Sequence, residues 1–194
     1  MNTTCDLKQT LKPLYRASSA RPALIDVPEL NYLQIDGTGR PEEAGFEQAA
    51  QALYPLVYTL KYMPGGLPFT IMPMEVSWTL DRTAKTFAWT MFMVIPDAVD
   101  DALLAQAAAQ VRQKHNPQRL VDVRRVRWAE GRCVTMLHRG PYETMNDTLG
   151  KMNAFGAAQG LTLRPDTHDI YLNSVLKTRP ENLRTIMRAA VLAG

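Results

Sequence analysis

A pattern of elements that occurs twice constrains this chain more than any other feature. Tyr32 to Pro41 (YLQIDGTGRP) reads as a strand running into a Gly-Thr-Gly turn. A helix should follow, because Phe46, Ala49, Ala50, Leu53, Leu56, Val57 and Leu60 recur at three- and four-residue steps until Pro64-Gly65-Gly66 stops them, and Pro55 inside it can kink the axis. Two extended runs come next, Ile71 to Leu80 and Phe87 to Ile95, joined by the polar segment Asp81 to Thr86. The second half repeats the order: Cys133 to Pro141 (CVTMLHRGP), a helix begun by Gly140-Pro141-Tyr142 with Met145, Leu149, Met152 and Phe155 on its apolar face, then His168 to Asn173 and Leu183 to Val191. A period of ~90–100 residues is too long for a solenoid and predicts a duplicated strand–helix–strand–strand module.

The expected fold class is therefore α+β: tandem strand–helix–strand–strand modules in an antiparallel sheet, with helices on one face and a central ligand cleft on the other. The boundaries read as one domain over residues 1–194, with module one at about 22–96, a connector helix at about 97–116 and module two at about 118–192. Asp97 is the expected N-cap of the connector. Module two should open with a hairpin, Leu120 to Trp128 turning at Ala129-Glu130-Gly131 and returning as Arg132 to His138.

Composition removes several function classes. The formal net charge of the 194-residue chain is only +3, and its densest basic stretch, Arg124 to Arg127, reads as a solvated strand face, so no direct nucleic-acid binding is expected. No run approaches the roughly 18 uncharged apolar residues of a membrane span, and the opening MNTTCDLKQTLK lacks the apolar core of a secretion signal. Cys5 and Cys133 form neither a CxxC pair nor a disulfide framework, which fits a reducing cytoplasm. His115, His138 and His168 are far apart and without cysteine or HExxH partners, so no metal is expected. With no nucleophile elbow, P-loop or dinucleotide fingerprint, no cofactor is expected either.

The duplication puts one acid at the same point of each half, Glu75 and Asp169. On the first strand Met72, Met74, Val76, Trp78 and Leu80 alternate with Glu75, Ser77 and Thr79; on the second, His168, Ile170 and Leu172 alternate with Asp169, Tyr171 and Asn173. Assigning the more apolar set of each strand to the helix-covered face sends both acids, with Tyr171, to the open face. A carboxylate among aromatic rings neutralises a ligand cation, each ring adding about 0.5–2 kcal/mol of cation–π attraction. The same acid, its pKa raised by desolvation, could serve as a general acid or base toward an electrophile. Glu75, Asp169 and Tyr171 are thus the candidate catalytic residues. Tyr58, Trp89, Met91, His138 and Tyr142 are the candidate ligand-binding residues, although each can equally be core.

Five stretches carry a resemblance: YPLVYTLKY (Tyr54 to Tyr62), PMEVSW (Pro73 to Trp78), FAWTMFMV (Phe87 to Val94), EGRCVTMLHRGPYE (Glu130 to Glu143) and HDIYLNSVLKTRPENLRTIMR (His168 to Arg188). In this order they resemble the GyrI-like small-molecule-binding family, which also supplies the ligand-binding domains of some multidrug-responsive transcription activators. The resemblance implies a pocket for hydrophobic, often cationic or electrophilic molecules, and makes Glu75, Trp89, Tyr142, Asp169 and Tyr171 its acids and walls. Here the acid of HDIY is Asp where the family usually has Glu, and Val175 stands where a proline is expected. No helix-turn-helix segment precedes the pocket, so a bare domain is expected.

Three functions follow as expectations. The first is capture of hydrophobic cationic or electrophilic small molecules. The second is a hydrolase that opens the cyclopropane ring of DNA-alkylating natural products, as the resemblance implies for some members. The third is a module that binds an unknown protein partner.

Overall fold

The computed structural model describes residues 6–81, 83 and 86–192. Cys5, and Arg82, Ala84 and Lys85 of the expected polar connection, lie outside the described residues. The strands are β1 (Ala23–Thr38), β2 (Glu75–Asp81), β3 (Thr86–Val94), β4 (Arg124–Arg139), β5 (Thr167–Tyr171) and β6 (Arg184–Ala190); the helices are α1 (Leu7–Thr10), α2 (Ala44–Tyr62), α3 (Asp101–Lys114) and α4 (Met145–Ala158). A 3-10 turn at Lys12–Tyr15 follows α1, and neither was expected from the sequence. Hydrogen bonding joins the strands in the order β1-β3-β2-β5-β6-β4, which closes on itself. The expected antiparallel sheet is thus a closed one, an arrangement without free edge strands.

The chain packs as two compact units interleaved in sequence, one of Met1–Thr10, Leu30–Met72 and Leu80–Trp128, the other of Leu11–Glu29, Pro73–Thr79 and Ala129–Gly194. In the first unit, α2 buries Ala49, Leu53, Leu56, Val57 and Leu60 of the predicted stripe, together with Ala52, which was not part of it, while Phe46 and Ala50 are half-buried; the helix runs through Pro55. Each of the leucine and valine side chains contributes roughly 1.5–3 kcal/mol when fully buried. Tyr32, Phe92 and Trp128 pack together, with Phe92 stacked on Trp128 at 5.2 Å. Gly37 is required beside Trp89: a Cβ there would sit 2.2 Å from the indole. The helix α3 is capped by Asp100, whose Oδ1 accepts from Leu103 N at 2.8 Å, and not by Asp97, which pairs with Arg127 at 3.0 Å.

In the second unit β4 pairs with β6 (Cys133↔Ala190 through Arg139↔Arg184), β5 with β6 (His168↔Arg188 through Tyr171↔Thr185) and β2 with β5 (Glu75↔Ile170 through Trp78↔Thr167). The expected hairpin at Ala129-Glu130-Gly131 does not form. The chain passes through Gly131, at φ +76°, as one strand, because the apolar run after Cys133 finds its partner in β6. One sheet face carries Val134, Met136, Met187 and Ala189, which α4 covers with Met152, Leu149 and Phe155. The other carries Leu137, Ile170 and Ile186, against which Tyr15 and Ala17 pack.

Candidate functional site

The register decides which side chains meet. Directly paired residues of an antiparallel ladder share a face, so Glu75 shares one with Ile170 and, two residues on, His168, while Asp169 and Tyr171 share the opposite one with Val76 and Trp78. The expectation that both acids occupy the open face is overturned. Glu75 does turn from the α4 side, but Asp169 turns toward it, beside Met187.

The Asp169 face brings together Asp169, Tyr171, Tyr142 and Trp78. Tyr142 and Tyr171 meet edge to face with centroids 5.8 Å apart, and the Trp78 indole N–H donates to the Tyr171 oxygen at 3.2 Å. The rings are half-buried, whereas Asp169 is only 4% exposed and its Oδ1 has no hydrogen-bond partner among the described residues. Burial among Val76 and Met187 raises the Asp169 carboxyl to about 7, the nearby His168 cation lowering it only in part. Burial, reinforced by the Asp169 charge, likewise raises the phenols of Tyr142 and Tyr171, the latter well above the ordinary tyrosine value. A buried acid that exchanges its proton near neutrality, with two protonated phenols beside it, can receive a cation or serve as general acid or base.

His138 lies in the same row, paired with Thr185, which also pairs with Tyr171. Its Nε2 is 3.0 Å from the Pro141 carbonyl, which can only accept, so Nε2 carries the proton and Nδ1 accepts from Thr148 Oγ1 at 2.8 Å. The first contact holds the turn that presents Tyr142, and the second ties His138 to α4.

The Glu75 face holds a charge cluster of which Glu75 alone was a sequence candidate. His168 Nε2 lies 3.0 Å from Glu75 Oε2, and His168 Nδ1 lies 3.1 Å from Glu130 Oε2. Arg188 Nη1 lies 3.4 Å from Glu130 and 3.9 Å from Glu75. Burial alone would lower the His168 imidazole, but the carboxylates of Glu130 and Glu75 outweigh it and raise it to about 9. Burial would likewise raise the Glu130 carboxyl, yet His168 and Arg188 hold it below the usual range. Two acidic side chains therefore face two basic ones within one buried group. The Tyr15 hydroxyl donates to Glu75 Oε1, and the Arg188 guanidinium donates to the Leu14 carbonyl.

The remaining candidates belong to the first unit. Trp89 is buried against Phe46, with the Arg119 guanidinium 5.8 Å from its ring; Met91 is fully buried; Tyr58 is 49% exposed and stacks on Tyr62 at 6.2 Å. Trp78, Tyr15, Glu130, His168 and Arg188 were missed as site residues. Reading the second strand by its charges, with His168 turned toward the buried acids, would have found His168.

Among the described residues no group of three or more His, Cys, Asp or Glu side chains could hold a metal ion, and no helix is long and apolar enough to cross a membrane. No curated protein matches the sequence. Among solved structures, a hydrolase from Listeria innocua is 32% identical with a TM-score of 0.88, over 97% of this chain and 100% of that one. An uncharacterized conserved protein from Listeria innocua is 31% identical with a TM-score of 0.90, again over 97% and 100%. SAV2435 bound to tetraphenylphosphonium shares the fold at 12% identity and a TM-score of 0.51, over 89% of this chain and 94% of that one. The family profile of the GyrI-like small molecule binding domain matches residues 21–191, and the chain belongs to that family.

Proposed function

We propose that the protein binds hydrophobic small molecules, cationic or electrophilic, at the Asp169 face of the second unit. Asp169 carries this reading: it is buried, its Oδ1 lacks a hydrogen-bond partner among the described residues, and it lies beside the half-buried rings of Tyr142 and Tyr171. An unsatisfied buried acceptor costs about 1–3 kcal/mol, which a ligand cation or donor would recover. The rings add cation–π attraction of about 0.5–2 kcal/mol each. Glu75 is a poorer trap, since His168 and Arg188 already match its charge and that of Glu130. Small-molecule binding in the family, and tetraphenylphosphonium on SAV2435, support the same chemistry. The reading treats the chain as two tandem modules working in the cytoplasm, where a thiol such as Cys133 stays reduced. Thermal shift with tetraphenylphosphonium tests it: the parent protein should be stabilised and Asp169→Asn should not. Equal stabilisation of both would remove Asp169 from the site.

A second reading, hydrolysis of a cyclopropane-bearing alkylator, draws on the near-neutral Asp169 carboxyl and the likeness to the Listeria innocua hydrolase. Ionised Asp169 would take a proton from water as its oxygen bonds to the cyclopropane carbon. The strained C–C bond breaks, its electron pair passes to the conjugated carbonyl oxygen, and a tyrosine protonates that oxygen and recovers its proton through solvent from Asp169. Incubation with such an alkylator, followed by absorbance, decides the matter: consumption no faster than in buffer rejects this reading for that substrate.

A further inference from the structure

We propose that the Glu75 face of the second unit is a separate binding site, for a small molecule carrying an aryl hydroxyl, and that the Tyr15 side chain is its built-in occupant. Three kinds of contact define the site. The Glu75 carboxylate accepts the Tyr15 hydroxyl proton; the Arg188 guanidinium lies 5.8 Å from the centroid of the Tyr15 ring; and Leu137, Ile170 and Ile186 form the apolar floor on which that ring packs. An acceptor, a cation against the π face and an aliphatic floor are what a phenol needs from a protein, and a ligand phenol could make each contact that Tyr15 makes.

The contents of the site are prearranged. Glu75 is wholly buried, and its other oxygen is held by His168 at 3.0 Å, with Glu130 and Arg188 packed beside that pair. The acceptor therefore stays in place whether or not a phenol is bound. The occupant, by contrast, is only half-buried. Its neighbours hold the backbone independently of its ring: the Leu14 carbonyl accepts from Arg188, and Ser18 O accepts from Leu137 N at 2.9 Å. Rotation about the Tyr15 side-chain bonds can thus free the carboxylate without unthreading the segment. Acceptor and occupant also lie in different parts of the chain. Glu75, Ile170, Ile186 and Arg188 fall within the family match at residues 21–191, and Tyr15 precedes it. The site does not depend on the Asp169 reading, since the two acids face opposite sides of the sheet.

The test is titration of Tyr15→Ala with p-cresol and with 4-methylanisole, which has a similar ring but no donor, followed by protein NMR. The proposal expects p-cresol to bind about tenfold more tightly, the order expected for a hydrogen bond to a charged acceptor. It also expects Tyr15→Ala/Glu75→Gln to lose that preference. Equal affinity for the two compounds, or no binding of p-cresol, overturns the proposal. Should either variant fail to fold, the parent chain decides: p-cresol must shift the Tyr15 ring resonances to those of a solvent-exposed tyrosine, and resonances that stay in place overturn the site.

Discussion

Glu75 and Asp169 stand one rung apart on paired strands and point to opposite faces of the sheet, Glu75 opposite Ile170 and Asp169 opposite Val76. One acid is enclosed by counter-charges and the other by apolar side chains and phenols. Substitutions at the two positions should therefore leave different marks on stability.

Asp169 carries a folded-state value of about 7 against an ordinary 3.8, so the folded protein holds its proton more tightly than the unfolded chain. Its contribution falls as pH rises from 3.8 toward about 7, by up to about 4 kcal/mol. Asp169→Asn should remove this loss and be more stable than the parent above neutrality. Urea unfolding of both proteins on either side of that window checks it, and parallel pH profiles would count against the buried acid.

His168 behaves in the same direction over a higher window. Its value is raised from 6.5 to about 9, so the stabilisation is complete below 6.5 and is lost as pH climbs through about 9. His168→Gln should be less stable than the parent at neutral pH and lose the alkaline decline. Denaturation midpoints across that range provide the measurement.

Glu75→Gln removes one of the two carboxyl groups described beside His168 and Arg188, leaving Glu130 in place. Breaking a buried charge set on one side costs about 3–5 kcal/mol. Adding His168→Gln should recover part of the loss, and a double-mutant cycle in urea measures the coupling.

Gly37→Ala would force a methyl group to within 2.2 Å of the Trp89 ring. A loss of about 1–3 kcal/mol is expected for overpacking of this kind, with a shift in tryptophan emission as the indole is displaced. Unchanged stability and emission would show that Trp89 is free to move.

The sequence carried the element order well, because alternation at period two and apolar steps of three and four report local geometry directly. The α2 stripe from Ala49 to Leu60 and the strand ending at Val94 are cases of this. It carried cross-strand information poorly. Alternation separates His168 and Ile170 from Asp169 and Tyr171 but does not say which set turns toward a neighbouring strand's acid; the register Ser77↔His168 does. Counting apolar residues favoured the wrong side because the pairing of His168 and Arg188 with Glu75 and Glu130 outweighs the lesser hydrophobicity of that face. Gly131 was misread as a turn for a related reason: a left-handed glycine serves a hairpin or a through-going strand equally, and the partner of Cys133 lies far along the chain at Ala190. Tyr15 had no local signal at all, since its role depends on contact with residues sixty or more positions away.

That last contact bears on how the protein is handled at the bench. Cutting the gene at the start of the family match, residue 21, would discard the phenol along with the Leu14 carbonyl that Arg188 grips. The shortened protein would lack the hydroxyl donor to Glu75 and one acceptor for Arg188, and ligand profiles gathered from it would describe a different surface from the one the whole chain offers.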